Sequence, residues 1–308
     1  MEIKIGTRKS RLAMWQAEYI KNILEQKNIK AKLFPIMTKG DKILDKSIAK
    51  IGSKGVFTEE LEEKLRSGEI DIAVHSAKDL QSSLDEDFEI IAFTAREEQG
   101  DVLVSRKNLN PENKNISFTA GTSSVRRKAL LKHFFPHIKI VDMRGNLQTR
   151  ISKMDNGDCD ALVLAKAGVL RMGYENMIVH EFDQENFIPP VGQGSIAVEI
   201  FSKLDLTKKE VLKKHLNHEY TEKIITAERM FLKILEGGCS IPAFCNGKII
   251  DDKIILKGGL ISTDGKKMIL NQCESTIEHP ETAGKILAEY IISHGGRQIL
   301  DSLKKNSE

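Results

Sequence analysis

One pattern, used twice, constrains this chain more than any other. The opening EIKIGTRKSRLAMWQAEYIKNILEQKN reads as a short strand, a Gly6-Thr7 turn and a helix, with Ser10 as N-cap and Leu12, Trp15, Ile20, Ile23 and Leu24 as its apolar positions. The stretch ISFTAGTSSVRRKALLKHFFP repeats that grammar: a strand-like run ends at Gly121-Thr122, hydroxyl residues follow, and Arg126 and Arg127 ride the first turns of a helix. A second pair matches in register. EELEEKLRSGEIDIAVHSAKDL and LQTRISKMDNGDCDALVLAKAGVL each run from a helix through a glycine and G-x-x-D into an apolar strand, then to a basic residue. Two matches in the same order point to a tandem of similar α/β domains.

The boundaries follow from where this grammar stops. Domain 1 is expected to start at residue 1 and domain 2 to span roughly 100–190, the segment IPPVGQGSIAVEIF suggesting a crossing after it. Beyond it, residues 218–235 pattern as a helix with Ile224, Ala227, Phe231 and Ile234 on one face, stopped by Gly237-Gly238. Alternating strands with Asp264-Gly265 as a hairpin turn come next, then a helical tail. This gives a smaller α+β domain at 217–308, and the expected fold class is two α/β domains plus that C-terminal domain.

Composition narrows the function. Hydrophobic residues at 40% and charged residues at 30% fit a globular protein, and no apolar run reaches membrane-spanning length. The N-terminus MEIKIGTRKSRLAMWQ lacks a basic n-region and an apolar h-region, so a cytoplasmic location is expected. A formal charge of +3 and an aromatic share of only 6% argue against a nucleic-acid surface with stacking platforms. Cys159, Cys239, Cys245 and Cys273 form no C-x-x-C pair, which disfavours both a disulfide framework and zinc; no metal is expected.

The charged turns suggest a ligand. Helix N-termini favour anions, and a guanidinium offers paired donors that match a carboxylate. Arg8 and Ser10 in the first unit, Thr122, Ser123, Ser124, Arg126 and Arg127 in the second, and Arg144 and Arg150 in VDMRGNLQTR supply that combination. Neither unit has the spacing of a P-loop or a dinucleotide fingerprint. IDIAVHSAKDL ends a strand with His75, Lys78 and Asp79, where an acid among cations can steady a developing positive charge. Each of these three also has a plain reading as a core histidine, a solvated lysine and a turn cap. GDKILDKSIAKIGSKGVFTEEL has the Gly, Lys and Ser content of a lid, with Lys50 and Lys54 in it. Cys239, directly after Gly237-Gly238, leaves three readings open: an inert thiol, a metal ligand with Cys245, or a site of covalent chemistry.

Together IGTRKSRLAMWQA, AKIGSKGVFTEELE, GEIDIAVHSAKDL, GTSSVRRKALL, VDMRGNLQTRISKMDNGDCDALVLAKAGVLRMG, PPVGQGSIAVE and AERMFLKILEGGCSIP resemble the porphobilinogen deaminase (hydroxymethylbilane synthase) family over nearly the whole chain. The resemblance implies a three-domain transferase whose first two domains look like the halves of a periplasmic binding protein, the first of them discontinuous, 1–95 with 195–213. It implies head-to-tail joining of four porphobilinogen molecules with loss of ammonia, then hydrolytic release of hydroxymethylbilane for uroporphyrinogen-III synthase. The implied cofactor is dipyrromethane, held by a thioether to Cys239. Asp79 is the implied catalytic carboxylate, which steadies the methylene pyrroleninium left by deamination. Lys78, Asp79, Thr122, Ser124, Arg126, Arg127 and Arg144 are implied around the cofactor; Arg8, Ser10, Arg150 and Arg171 around substrate; Lys50 and Lys54 in the lid. A monomer without nucleic-acid or membrane partners is implied. Ala77, Gln81 and Arg11 depart from the family's usual methionine and prolines, which bears on loop shape and turnover. The rival reading is a non-catalytic two-lobed binding protein for polycarboxylates, which would need neither Asp79 nor Cys239.

Overall fold

The computed structural model describes residues 1–38, 58–237 and 241–305. Along the chain come β1 (Glu2–Arg8), α1 (Arg11–Gln26), β2 (Lys30–Ile36), α2 (Glu59–Ser67), β3 (Ile72–Ser76), a 3-10 turn Ala77–Asp79 and β4 (Phe88–Phe93). The second stretch holds β5 (Asp101–Val104), β6 (Thr119–Gly121), α3 (Val125–Phe134), β7 (Lys139–Val141), α4 (Leu147–Asp155), β8 (Ala161–Ala165), α5 (Lys166–Arg171) and β9 (Ile178–Glu181). The last holds β10 (Ile196–Phe201), α6 (Leu206–Leu216), α7 (Glu219–Ile234), β11 (Ala243–Ile250), β12 (Lys253–Ile261), β13 (Met268–Thr276), α8 (Pro280–Ile291) and α9 (Arg297–Lys305). The chain divides into two compact units, Met1–Glu97 with Ser195–Lys223, and Glu98–Gly194 with Ile224–Glu308.

Unit 1 is a five-stranded sheet in the order β2-β1-β3-β10-β4. β1 runs parallel to β2 and β3, while β10 is antiparallel to both β3 and β4. The period-2 alternation of the strands sends Ile3, Ile5, Ile72 and Val74 to the face covered by Ala17, Ile20 and Leu24 of α1 and by Leu212 and Leu216 of α6. Ala73 and Phe88 point to the other face, against Leu61 and Leu65 of α2. The caps are written in the sequence. Ser10 Oγ accepts from Ala13 N at 3.3 Å to start α1, and Gly68, at φ +72°, closes α2 with its N–H on Leu65 O at 3.2 Å.

Unit 2 contains a sheet of the same plan, β7-β6-β8-β5-β9. β6 is parallel to β7 and β8, and β5 is antiparallel to β8 and β9. Strand for strand this is the first sheet again, with β5 in the place of β10. The duplication read from sequence is therefore a duplication of topology, and in each sheet the antiparallel strand next to the centre directly follows a crossing of the chain from one unit to the other. Gly6 and Gly121 occupy matching places: a Cβ on Gly6 would lie 2.3 Å from Ile70 Cδ1, and one on Gly121 2.9 Å from Cys159 Sγ.

The C-terminal antiparallel sheet, β11-β12-β13, packs against α8 and α7 through Ala227, Phe231, Leu287 and Ile291. It also shares a core with the second α/β sheet, since Phe244 and Ile261 join Leu103, Phe118 and Leu130 in one buried cluster. That shared core places both sheets in unit 2.

One turn differs from the sequence reading, whereas the expected Asp264-Gly265 hairpin turn stands between β12 and β13, with Gly265 at φ +77°. Helix α7 is closed by Glu236, at φ +52°, in a Schellman arrangement: Glu236 N donates to Lys233 O and Gly237 N to Leu232 O, each at 3.0 Å. The expected Gly237-Gly238 stop is thus shifted to a glutamate. The β11–β12 hairpin turns on Asp251 and Asp252, both left-handed at φ +48° and +56°. Helices α7 and α8 meet at Gly284, where an added Cβ would lie 2.3 Å from Ala227 O. Gly284→Ala is expected to destabilise the protein by about 1–3 kcal/mol, because the obstacle is a backbone carbonyl; the urea unfolding midpoint measures it.

Candidate active site

In unit 1 the charged residues gather at the carboxyl ends of parallel strands, where open α/β sheets place their ligands. The register Gly6↔Ala73 sets the end of β1, which carries Arg8, beside the end of β3, which runs into the turn Ala77–Asp79. Asp79 is exposed, Lys78 and Arg8 are half-buried, and Ser10 caps the helix that follows β1. Arg8, Lys78 and Asp79 thus stand on one edge of one sheet. Ala77 is buried under this turn, and Arg11 is exposed at the start of α1.

The residues before Asp79 are held one after another. His75 Nε2 lies 2.9 Å from Glu199 Oε2, both side chains buried; Gln16 Nε2 donates to Ser76 Oγ at 2.8 Å; Ala77 N donates to Ser195 O at 3.0 Å. The sequence shows His75 at a strand end but gives no sign of its partner Glu199, which is 124 residues away.

Unit 2 repeats the edge. Thr122 follows β6, Arg144 follows β7, and α5, ending at Arg171, follows β8. Thr122 Oγ1 accepts from Ser124 N at 3.3 Å, and Ser124 Oγ caps α3 by accepting from Arg127 N at 3.4 Å. Arg150 Nε donates to Gly145 O at 2.8 Å, and Arg171 Nη2 to Gly194 O at 2.9 Å.

Arg126 and Arg127 turn inward. They are only 4% and 6% exposed, and they divide the two oxygens of the fully buried Asp101 between them, at 2.5 Å and 2.7 Å. Their Nη1 groups donate to Ile188 O at 2.8 Å and Val163 O at 2.9 Å. Gln193 Nε2 adds a third donor to Asp101, at 3.1 Å. Burial alone would raise the Asp101 carboxyl, but Arg126 and Arg127 outweigh it and hold the group well below the usual carboxylate range. Burial lowers the Arg126 guanidinium. The first carboxylate of the double arginine is therefore the chain's own. Asp101 and Gln193 carry no pattern that sequence reading detects; the one signal was an acid opening the apolar run DVLV.

Both guanidiniums keep a buried Nε with no hydrogen-bond partner. An orphaned donor on each arginine, with the hydroxyls of Thr122 and Ser124 on the same turn, has the donor chemistry a carboxylate-bearing group needs. Among the described residues no cluster of three or more His, Cys, Asp and Glu could hold a metal ion, and no helix is long and apolar enough to cross a membrane. Lys50, Lys54 and Cys239 lie outside the described residues. Of the other cysteines, burial pushes the Cys159 and Cys273 thiols up to about 11, and Cys245 is fully buried.

Two family models match end to end: "Porphobilinogen deaminase, dipyromethane cofactor binding domain" over residues 3–209 and "Porphobilinogen deaminase, C-terminal domain" over residues 223–293. The chain belongs to the porphobilinogen deaminase family. Members of this family are transferases, and the first of the two matched domains is the one that binds the dipyrromethane cofactor. Among its relatives, the porphobilinogen deaminase of Desulfosudis oleivorans is 53% identical over 306 residues, covering 99% of both chains. That of Cytophaga hutchinsonii is 50% identical, covering 98% of this chain and 97% of its own. A solved structure of the Bordetella pertussis BvgS periplasmic VFT2 domain is 17% identical and covers 70% of this chain and 86% of its own, with a TM-score of 0.42.

The porphobilinogen deaminase fold here depends on a buried charge, which sets a test. Asp101→Asn leaves two buried guanidiniums without their anion and is expected to cost about 3–5 kcal/mol at neutral pH. Since the folded Asp101 carboxyl titrates below its unfolded value of about 3.9, its contribution is complete above that pH and is lost only as pH falls through the folded value. Urea unfolding of wild type and variant is expected to show an undiminished difference from pH 7 to pH 5, shrinking only in stronger acid.

Proposed function

We propose that this chain is a hydroxymethylbilane synthase: it joins four porphobilinogen molecules head to tail on a dipyrromethane primer, releases ammonia at each addition, and frees hydroxymethylbilane by hydrolysis. The observation that carries the reading is the pair of half-buried Lys78 and exposed Asp79 on the turn at the carboxyl end of β3, beside the end of β1 with Arg8. When bound, dipyrromethane supplies the nucleophilic pyrrole carbon that begins the chain. Asp79 accepts the pyrrole N–H of the incoming substrate and steadies the positive charge that develops as ammonia leaves, an electrostatic role that needs its ionised form. Arg8, Ser10, Arg150 and Arg171 hold substrate carboxylates. Lys78, Arg144 and the Thr122–Ser124 turn hold those nearer the primer. Ser124 Oγ already accepts from the backbone, so its O–H is the group that donates outward. Arg126 and Arg127, fixed by Asp101, contribute through their remaining donors. Lys50 and Lys54 belong to the lid.

The chemistry of the thiols supports Cys239 as the point of attachment. The thiolate is the reacting form of cysteine, and burial keeps Cys159 and Cys273 protonated at neutral pH while Cys245 is enclosed. We also read the chain as three parts, 1–95 with 195–213, 100–190 and 217–308, acting as a cytoplasmic monomer that passes its product to uroporphyrinogen-III synthase.

Intact-protein mass spectrometry is expected to show an adduct of dipyrromethane mass on the wild type, absent from Cys239→Ser. Asp79→Ala is expected to keep the adduct and lose at least roughly 10²-fold in kcat for bilane formation. An unmodified wild type that still makes bilane would remove the cofactor from Cys239, and wild-type turnover in Asp79→Ala would remove Asp79 from the reaction.

A further inference from the structure

A three-residue 3-10 turn cannot aim its own side chains. The turn Ala77–Asp79 closes on a single long hydrogen bond, Leu80 N to Ala77 O at 3.4 Å, and 3-10 hydrogen bonds are weakly directed. The direction of Asp79 is therefore inherited from the residues that lead into it, and the structure ties each of them to a different part of unit 1. His75 is fixed to Glu199 on β10. Ser76 is fixed to Gln16 on α1 in both directions, accepting from Nε2 at 2.8 Å and donating to Oε1 at 3.2 Å. The Ala77 N–H is fixed to Ser195 O, one residue before β10.

The side-chain ties are unusual for residues with only a packing role. Gln16 is 2% exposed on the helix capped by Ser10, and its amide spends both of its polar ends on one hydroxyl of the neighbouring strand. Glu199 is wholly buried, and its Oε1 has no hydrogen-bond partner. A core glutamate with half its acceptors unused is poorer for stability than an apolar residue of similar shape, since an unsatisfied buried carboxylate oxygen retains its desolvation cost. What the two side chains share is their target: consecutive residues, His75 and Ser76, directly before Lys78-Asp79. Gln16 also links that strand end to the helix whose first turn carries Ser10, and thereby joins the two portions of unit 1 that the proposed reaction uses.

We infer that Gln16 and Glu199 are positioning residues for Asp79, acting through Ser76 and His75. The inference rests on the reading of Asp79 given above. In a site whose carboxylate must meet a charge forming on the substrate, a displacement of about 1 Å costs on the order of 10²-fold in rate. Binding of substrate carboxylates uses other residues, so the loss belongs to kcat and not to KM.

The test uses the full-length, cofactor-loaded protein. Gln16→Met and Glu199→Gln keep side-chain volume, and Ser76→Ala and Ser76→Thr remove or retain the hydroxyl. Each is compared with wild type and Asp79→Ala for adduct mass, thermal midpoint, kcat and KM for porphobilinogen. Expected are the adduct in every variant, kcat lowered about 10- to 100-fold in Gln16→Met, Glu199→Gln and Ser76→Ala with KM nearly unchanged, and near-wild-type kcat in Ser76→Thr. Wild-type kcat in a folded, loaded Gln16→Met or Glu199→Gln overturns the inference for that residue. A kcat loss that tracks loss of adduct or of thermal midpoint overturns it as well, since the role is then structural. Should Glu199→Gln fail to fold, the serine pair still decides for Gln16, and Glu199 is then assigned to stability. If Asp79→Ala turns over like wild type, it is the Asp79 reading that has failed; if Asp79→Ala is inactive and the positioning variants are not, only this inference has.

Discussion

Asp101 is the constraint on which the second unit depends. It opens β5 immediately after the chain crosses from one unit to the other, and it receives Arg126 and Arg127 from the first turn of α3 and Gln193 from the return crossing. Two guanidiniums and one carboxylate leave a net positive charge in a place with almost no solvent. Such a cluster survives only if its remaining donors are satisfied, and the carbonyls of Ile188 and Val163 do most of that. The cost is justified by geometry more than by stability. A forked carboxylate fixes the rotamers of two consecutive arginines, and with them the strand-to-helix turn that carries Thr122 and Ser124. Moving Asp101 would move the whole turn.

The two sheets explain why an internal acid can do this. In each, three parallel strands end at one edge and an antiparallel strand is inserted beside the third, β10 in one case and β5 in the other. The inserted strand starts where its parallel neighbour ends, because it runs the other way. A residue at the beginning of β5 thus meets residues at the carboxyl ends of β6 and β8, where the charges are. At the same edge of the first sheet, the segment entering β10 brings Ser195 against Ala77. Crossing segments that would otherwise be mere connections are placed by topology against the site.

Much of this was legible in the sequence because it is local. Ser10 as a cap, the glycine at Gly68 that ends a helix, and the strand-turn-helix repeat all depend on residues within a few positions of one another. The arginines were legible as charges near a helix N-terminus, but their direction was not. Whether a guanidinium faces ligand or core is decided by an acid 25 residues upstream, and no periodicity encodes that pairing. The same limit hid Glu199 and Gln16. The C-terminal part shows a parallel case: alternation marks its strands, yet only the packed structure reveals that Phe244 and Ile261 share a core with Leu103 and Leu130.

The end of α7 gives the glycines near Cys239 a different meaning from the one their sequence suggests. A Gly-Gly pair after a helix invites the reading that conformational freedom is needed there. Yet the left-handed position that ends the helix is taken by Glu236, a residue that adopts it at some cost, and a Cβ on Gly237 would lie 2.4 Å from Ile241 Cδ1 and 2.7 Å from Leu232 Cδ1. A side chain at Gly237 would have to displace the ends of these two apolar side chains. The helix end is therefore packed by the apolar side chains of Leu232 and Ile241. A thiol just beyond a helix C-terminus gains nothing from the dipole in forming a thiolate. Under the proposed attachment at Cys239, reaction then relies on the strength of the electrophile rather than on an activated sulfur.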